Sequence, residues 1–218
     1  MAVSLRSSAV WSSNLVFSVL CAGVAGWAFV YLFRDFEAGN RFAEQFARSG
    51  LDVPAHLFGG GVALLLSPMQ LSTSLRRRWP RLHRIGGGLY TACVLVGGLA
   101  GLSLAQHAQG GWPSRVAFTL LAVTWLTVTT IGIAHAIARR HEAHRRWMWR
   151  SVALTASAIT LRLTMGVGIG ALHLPPLSVY VFAAWSCWTI NLAVCELLLH
   201  RQSRSARGMP SAFRRSPA

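Results

Sequence analysis

The stretch RRRWPRLHR, residues 76–84, places five arginines between two apolar runs, one ending near residue 71 and the other reaching about residue 106. Each run has roughly the 20 residues that an α-helix needs to cross the hydrocarbon core of a bilayer. A basic connection between two such runs is typical of a loop that stays in the cytoplasm, because exported loops carry few arginines or lysines. The stretch therefore predicts a membrane hairpin with its turn on the cytoplasmic side.

The same alternation continues along the chain. All 21 basic residues are arginine, and two further clusters lie at residues 139–150 and 201–215. The other connections carry almost no excess positive charge. Six apolar segments are predicted at about residues 11–33, 53–71, 83–106, 116–138, 147–174 and 177–199. Six crossings with both termini in the cytoplasm place every arginine cluster on one side of the membrane.

Composition supports this fold class. Apolar residues make up 53% of the chain and charged residues only 12%, whereas a soluble domain has about 25% charged residues. We predict an all-α integral membrane bundle of six transmembrane helices in one domain, residues 1–200. Residues 53–174 are expected to form a four-helix core, and residues 201–218 a disordered basic tail. Nucleic-acid binding is not expected despite the net charge of +15, because the arginines flank apolar segments, where they contact lipid headgroups.

Histidines are the first candidates for chemistry. His83 and His144 begin the third and fifth segments from the same side, where two neutral imidazoles could hold haem b or a metal ion between facing helices. His56 is a second candidate, paired with His107 or His173 at the other side. Glycines follow His56 and His83 at helical spacing and would leave room for a flat ring. The alternative is that the histidines contact headgroups and the glycines serve helix packing.

Arg162 is the most unusual single residue, since it lies near the middle of the fifth segment. An arginine at that depth costs at least about 2.5–3.5 kcal/mol, so it should face a partner or a wet cavity. Gln70 and Asn191 lie at similar depth on their own segments and complete a predicted polar cluster within the membrane. Arg162 is expected either to bind an anionic group, such as a haem propionate or a substrate carboxylate, or to clasp neighbouring helices.

Several short pieces of the chain resemble a bacterial family of multi-pass membrane proteins, domain of unknown function 2306. They are HLFG at 56–59, PMQ at 68–70, LHRIG at 82–86 with Tyr90, HRRWMWR at 144–150, Arg162, and NL at 191–192 with Glu196. The resemblance covers roughly residues 50–200 and implies an architecture in the bacterial inner membrane but no reaction. A weaker likeness is to the cytochrome b561 type of haem protein, which has histidines on its four central spans; here the outer half of the fourth segment has none.

Three functions remain open on the sequence. The leading hypothesis is a haem b protein that transfers electrons to a redox partner or quinone, with His83, His144, His56 and Arg162 as cofactor-binding residues. The second is a carrier or binding protein for a small anionic or amphipathic ligand held by Gln70, Arg162 and Asn191. The third is a non-catalytic membrane scaffold. No hydrolase or transferase motif is present, so enzymatic activity stays undecided.

Overall fold

The computed structural model describes residues 2–33 and 50–208, with side chains for residues 13–33 and 50–204. Every regular element in these ranges is helical, which confirms the all-α prediction. The elements are α1 (Ala2–Phe33), α2 (Asp52–Leu71), α3 (Thr73–Arg78), α4 (Pro80–Ala105), α5 (Trp112–Ile137), α6 (His141–Thr155), α7 (Ser157–Met165), a π-helical turn (Gly166–Ala171) and α8 (Pro176–Gly208).

Five helical stretches in the described residues are long and apolar enough to cross a membrane: Ser13–Phe33, Pro80–Ala105, Trp112–Ile137, His141–Ala171 and Pro176–Arg204. The remaining predicted segment corresponds to α2, which has 20 residues and a length of about 30 Å at 1.5 Å per residue. It is not among these five because Asp52, His56, Gln70 and three glycines leave it without a sufficiently apolar window. The chain is therefore a multi-helix membrane protein with five candidate spans among the described residues.

The helices extend beyond the apolar runs at the arginine-rich connections. α4 begins at Pro80, where proline suits the first turn of a helix, and α6 begins at His141. α8 continues to Gly208, so residues 201–208 are helical although we expected them to be disordered. Residues 209–218, the rest of the predicted tail, lie outside the described residues. Hydropathy marks the part of a helix that suits lipid, whereas the backbone continues helical into the basic flanks.

Four helices pack in a closed ring: α2 against α4, α4 against α5, α5 against α6, and α6 against α2. α1 lies outside this ring on α2 and α7, and α8 lies outside it on α5, α6 and α7. The centre of the ring is filled by a cluster of buried side chains that includes Tyr90, Val94, Trp125 and Val152.

The arginine clusters meet at one end of the bundle. Arg76, from the first cluster, lies within electrostatic range of Glu142 in the second, and Arg146 lies within range of Glu196 near the end of α8. We call this the arginine-rich end. The opposite end carries the start of α2, the loop at residues 106–111 and the start of α8.

Candidate functional site

A cavity of about 400 Å³ lies inside the bundle, in the half away from the arginine-rich end. Helices α1, α2, α4, α5, α7 and α8 all contribute to its wall, together with the end of α6. Most lining residues are aliphatic or glycine. The hydrogen-bonding side chains among them include His56, Gln109, Thr155, Ser157, Arg162 and Tyr180. A mainly apolar cavity of this size with a few convergent polar groups is the usual form of a small-molecule site.

His56 reaches this cavity from α2 in a fixed orientation. Its Nδ1–H donates to the backbone carbonyl of Gly97 over 2.8 Å, since a carbonyl oxygen only accepts. The other ring nitrogen, Nε2, is then unprotonated in the neutral imidazole and remains an acceptor. Such a backbone bond fixes the tautomer and the ring orientation of histidines that bind ligands.

Glycines make the contact between α2 and α4 close enough for this bond. A Cβ at Gly59 would lie 2.7 Å from the carbonyl oxygen of Cys93, and one at Gly97 would lie 2.9 Å from the Gly60 nitrogen. Gly59 therefore serves close helix packing, which was the alternative to a ring-binding role. Gly60 lines the cavity and has open space where its Cβ would be.

Arg162 reaches the same cavity from α7, within electrostatic range of His56. Its Nη1 donates to the carbonyl of Ala158 on its own helix over 3.1 Å, and its Nε is buried without a hydrogen-bond partner. The guanidinium carbon lies 5.0 Å from the centroid of the Trp27 ring on α1. Among the described residues, none of the ion pairs involves Arg162.

The predicted polar cluster does not assemble around Arg162. Gln70 lies against α4, where its Nε2 is 2.7 Å from the position of a Cβ at Gly86. Asn191 accepts a hydrogen bond from Thr160 over 2.9 Å and donates to the Ala153 carbonyl over 3.2 Å. Equal depth along separate helices therefore did not bring the three side chains together, and Asn191 instead joins α8 to α6 and α7.

A buried hydrogen-bond network lies between the cavity and the arginine-rich end. The Tyr90 hydroxyl is 2.8 Å from both Ser151 Oγ and Thr155 Oγ1. The Trp125 indole N–H donates to Thr155 Oγ1 over 3.0 Å, and Thr129 Oγ1 is 2.7 Å from Ser151 Oγ. Trp125 and Thr155 also line the cavity. The network links α4, α5 and α6 and forms one wall of the site.

His83 and His144 lie together beyond this network, within electrostatic range of each other, and neither lines the cavity. The Nδ1–H of His144 donates to the Gly132 carbonyl over 2.8 Å. The Nδ1 of His83 is buried and has no hydrogen-bond partner. The space that Gly86 leaves on the face of His83 is taken by the amide of Gln70, so packing on that side does not leave a slot for a flat ring.

The remaining metal and haem candidates are dispersed. His107 and His173, the suggested partners of His56, are exposed and do not line the cavity. Within the ranges that the structure describes, no three His, Cys, Asp or Glu side chains cluster as metal ligands would. Among the predicted cofactor-binding residues, His56 and Arg162 thus share the cavity, whereas His83 and His144 lie together outside it.

Sequence reasoning missed the contribution of α1. Trp27 was one apolar residue among many in the first segment, and nothing in that segment marks the face that meets Arg162. It also missed the hydroxyl partners of Tyr90, although Ser151 and Thr155 stand four residues apart on one helical face. That spacing on an apolar helix was the available signal.

A family model described as "Predicted membrane protein (DUF2306)" matches residues 53–199. No curated protein and no solved structure matches the chain.

Proposed function

The chain belongs to the DUF2306 family of predicted membrane proteins, and we propose that it binds a small amphipathic anion in the cavity beside Arg162 and His56. The observation that carries this proposal is the environment of the guanidinium. Arg162 lines an apolar cavity of about 400 Å³, its Nε is buried without a partner, and no carboxylate of the described residues pairs with it.

The cost of placing the Arg162 guanidinium within the membrane must be offset by favourable contacts. An arginine at this depth costs at least about 2.5–3.5 kcal/mol. A cation–π contact such as that with Trp27 returns only about 0.5–2 kcal/mol, and one bond to its own helix leaves several N–H groups to satisfy. An anionic ligand group would supply both the opposite charge and the missing hydrogen-bond acceptors.

His56 supplies the second polar contact. With Nδ1–H committed to the Gly97 carbonyl, Nε2 accepts a hydrogen bond from a ligand hydroxyl or from a water molecule bound with the anion. Most of the remaining lining residues are aliphatic or glycine, so most of the ligand should be apolar too. One cationic and one neutral polar group favour a ligand with a single negative charge.

We further propose that α1, α2, α4, α5, the α6–α7 rod and α8 make six crossings of a bacterial inner membrane, with the arginine-rich end in the cytoplasm. The positive-inside rule supports this orientation. The cavity then lies in the half of the bundle nearer the periplasm.

Binding can be tested with protein reconstituted in lipid nanodiscs. Decanoate should raise the thermal unfolding midpoint, whereas decanol and decyltrimethylammonium, which match its tail but not its charge, should not. Arg162→Gln should abolish the decanoate effect. Arg84→Gln is the matched control, because Arg84 is exposed at the arginine-rich end. Equal stabilisation by decanol and decanoate, or an unchanged response in Arg162→Gln, would refute the proposal.

A second candidate is haem b held by His83 and His144. The two imidazoles lie on α4 and α6, which are diagonally opposed in the four-helix core. The His144 bond to the Gly132 carbonyl also leaves its Nε2 free to bind a metal. The Gln70 amide against Gly86 counts against it. Protein from haem-replete cells should show a Soret band that His83→Ala removes and His141→Ala, at an exposed position, retains. A colourless preparation eliminates this candidate.

A further inference from the structure

The first helix forms one wall of the cavity. Val24, Ala25 and Ala28 of α1 line it, and the latter two are small and buried. Trp27 on the same helix is 51% exposed on the outside of the protein, where lipid would lie. Only one layer of side chains therefore separates the cavity from the bilayer on this side.

α1 is held firmly on one edge and lightly on the other. Towards α2, the Phe29 ring fills the space beside Gly61 so closely that a Cβ there would lie 2.8 Å from it. Towards α7, the described contacts include the Trp27 ring over the Arg162 guanidinium. Gly23 and Gly26 have open space at their Cβ positions. Cys21 and Ala25 also belong to a buried cluster with Ile159 of α7, but α1 contacts α2 more extensively than α7.

Aromatic packing and a close loop contact narrow the aqueous end of the cavity. The Phe118 and Tyr180 rings pack with their centroids 5.7 Å apart, and both residues line the cavity. Gly110, in the loop above them, lies against α8 so closely that a Cβ would be 2.6 Å from Val181. Its positive φ of 80° also requires glycine at this position. This packing narrows the route from water, which passes the exposed side chain of Gln109.

We infer that the ligand is a single-chain carboxylate dissolved in the bilayer, and that Trp27 controls its passage from the lipid to Arg162 between α1 and α7. The inference rests on the proposed function and names its ligand class and a residue on the path of entry. In the structure the Trp27 ring covers the guanidinium. When a carboxylate arrives from the lipid, the Trp27 ring moves aside, and the Arg162 guanidinium exchanges its contact with the ring for an ion pair with the carboxylate.

The apolar wall argues for a chain rather than a compact acid. A short water-soluble carboxylate would satisfy Arg162 but would leave most of the cavity unfilled. A long-chain carboxylate fills it and is already concentrated in the bilayer beside α1. Its single charge also matches one guanidinium, whereas a phosphate monoester carries about −1.5 to −2 at pH 7.

The test uses the full chain in nanodiscs with two probes, palmitate and hexanoate, and follows equilibrium binding and exchange rates. Wild-type protein should bind palmitate more tightly than hexanoate at equilibrium. The rate of palmitate binding should depend on the mole fraction of palmitate in the lipid. Trp27→Ala should accelerate palmitate exchange by about tenfold, the factor that corresponds to loss of a partly desolvated cation–π contact. Trp27→Phe, which keeps a π-face, should restore slow exchange.

Trp79→Ala serves as the control, because Trp79 is an exposed tryptophan at the arginine-rich end, and its exchange rate should equal that of wild type. If binding depends on Arg162 but hexanoate binds as well as palmitate, or Trp27→Ala leaves exchange unchanged, lateral access fails while the proposed function stands. If neither carboxylate binds to wild type, or Arg162→Gln binds them equally well, the proposed function itself has failed.

Discussion

Tyr90 on α4 and Ser151 on α6 are joined by a hydrogen bond of 2.8 Å at the centre of the bundle, and both side chains are fully buried. The two helices lie diagonally across the ring of four, so this bond ties together helices that do not pack as neighbours. Thr155 extends the link to the indole N–H of Trp125 on α5. The network therefore holds three helices in register beneath the cavity.

Removing the central hydroxyl should weaken the bundle. Tyr90→Phe leaves Ser151 and Thr155 without a shared partner in a buried site, so we expect a loss of about 1–2 kcal/mol in the free energy of unfolding. The measurement is unfolding of the purified protein by a graded denaturing detergent. Thr130→Val provides a control, since Thr130 is exposed and bonds only within its own helix. A Tyr90→Phe protein no less stable than Thr130→Val would show that the network contributes no stability.

The glycine contact between α2 and α4 predicts that alanine is tolerated at one glycine of α4 and destabilises the protein at another. A Cβ at Gly97 would lie 2.9 Å from the Gly60 nitrogen and 3.2 Å from the Gly59 carbonyl carbon. Backbone atoms cannot move aside locally, so Gly97→Ala must separate the helices and should cost about 1–3 kcal/mol. It should also disturb the His56 bond to the Gly97 carbonyl.

Gly88→Ala on the same helix is the matched control, because no atom lies within 4 Å of its Cβ position. It should be neutral or should stabilise the protein by up to about 1 kcal/mol, since alanine favours the helix. Measured side by side in the same detergent series, equal stabilities for the two variants would contradict the close contact.

The length of the apolar runs and the positions of the arginines were sufficient to predict the long helices but less informative about where they begin. The third segment was expected from residue 83 and the fifth from residue 147, whereas α4 begins at Pro80 and α6 at His141. Arginine is a good helix former, so the basic flanks continue the helices. A hydropathy pattern identifies the part of a helix that suits lipid, but it does not show how far the helix extends into the polar flanks.

The site was harder to predict because depth along a helix does not reveal direction around it. Arg162 and His56 stood out as isolated polar residues, and both line the cavity. Gln70 was grouped with Arg162 by depth, yet it faces Gly86 on α4. Trp27 carried no signal, since an aromatic residue in an apolar segment is ordinary until the structure places it over a guanidinium.

An ion pair between α6 and α8 allows a test of how the outer helix is held. Arg150 donates to Glu196, with Nη2 2.9 Å from Oε2, and its guanidinium carbon is 4.9 Å from the centroid of the Trp147 ring. The Glu196 side chain is 48% exposed, so Glu196→Gln should cost only about 0.2–1 kcal/mol. Arg150→Gln should cost more, because it also removes the contact with Trp147.

The charge-swapped protein, Arg150→Glu with Glu196→Arg, separates the two contributions. It should recover the loss seen in Glu196→Gln but not the loss of the Trp147 contact. Adding the double variant Arg150→Gln with Glu196→Gln completes a double-mutant cycle, and detergent unfolding of the wild type, the two single variants and this double variant gives the coupling energy. Additive losses in the two single variants, with no recovery in the swap, would mean that the pair contributes no coupling energy.

The orientation in the membrane gives the most general prediction. Arg76 lies near Glu142 and Arg146 lies near Glu196, so the described parts of the three arginine clusters lie at one end of the bundle. Clustered arginine is retained in the cytoplasm. Single cysteines in a variant without the four native ones, at Arg78, Arg140 and Arg204, should resist a membrane-impermeant maleimide in intact cells. Cysteines at Gln109 and Leu174 should react. These last two residues are exposed at the opposite end, and labelling after lysis controls for accessibility. Labelling of the Arg78→Cys and Gln109→Cys variants from the same side would be incompatible with α4 crossing the membrane. The cavity beside Arg162 would then not lie within the bilayer.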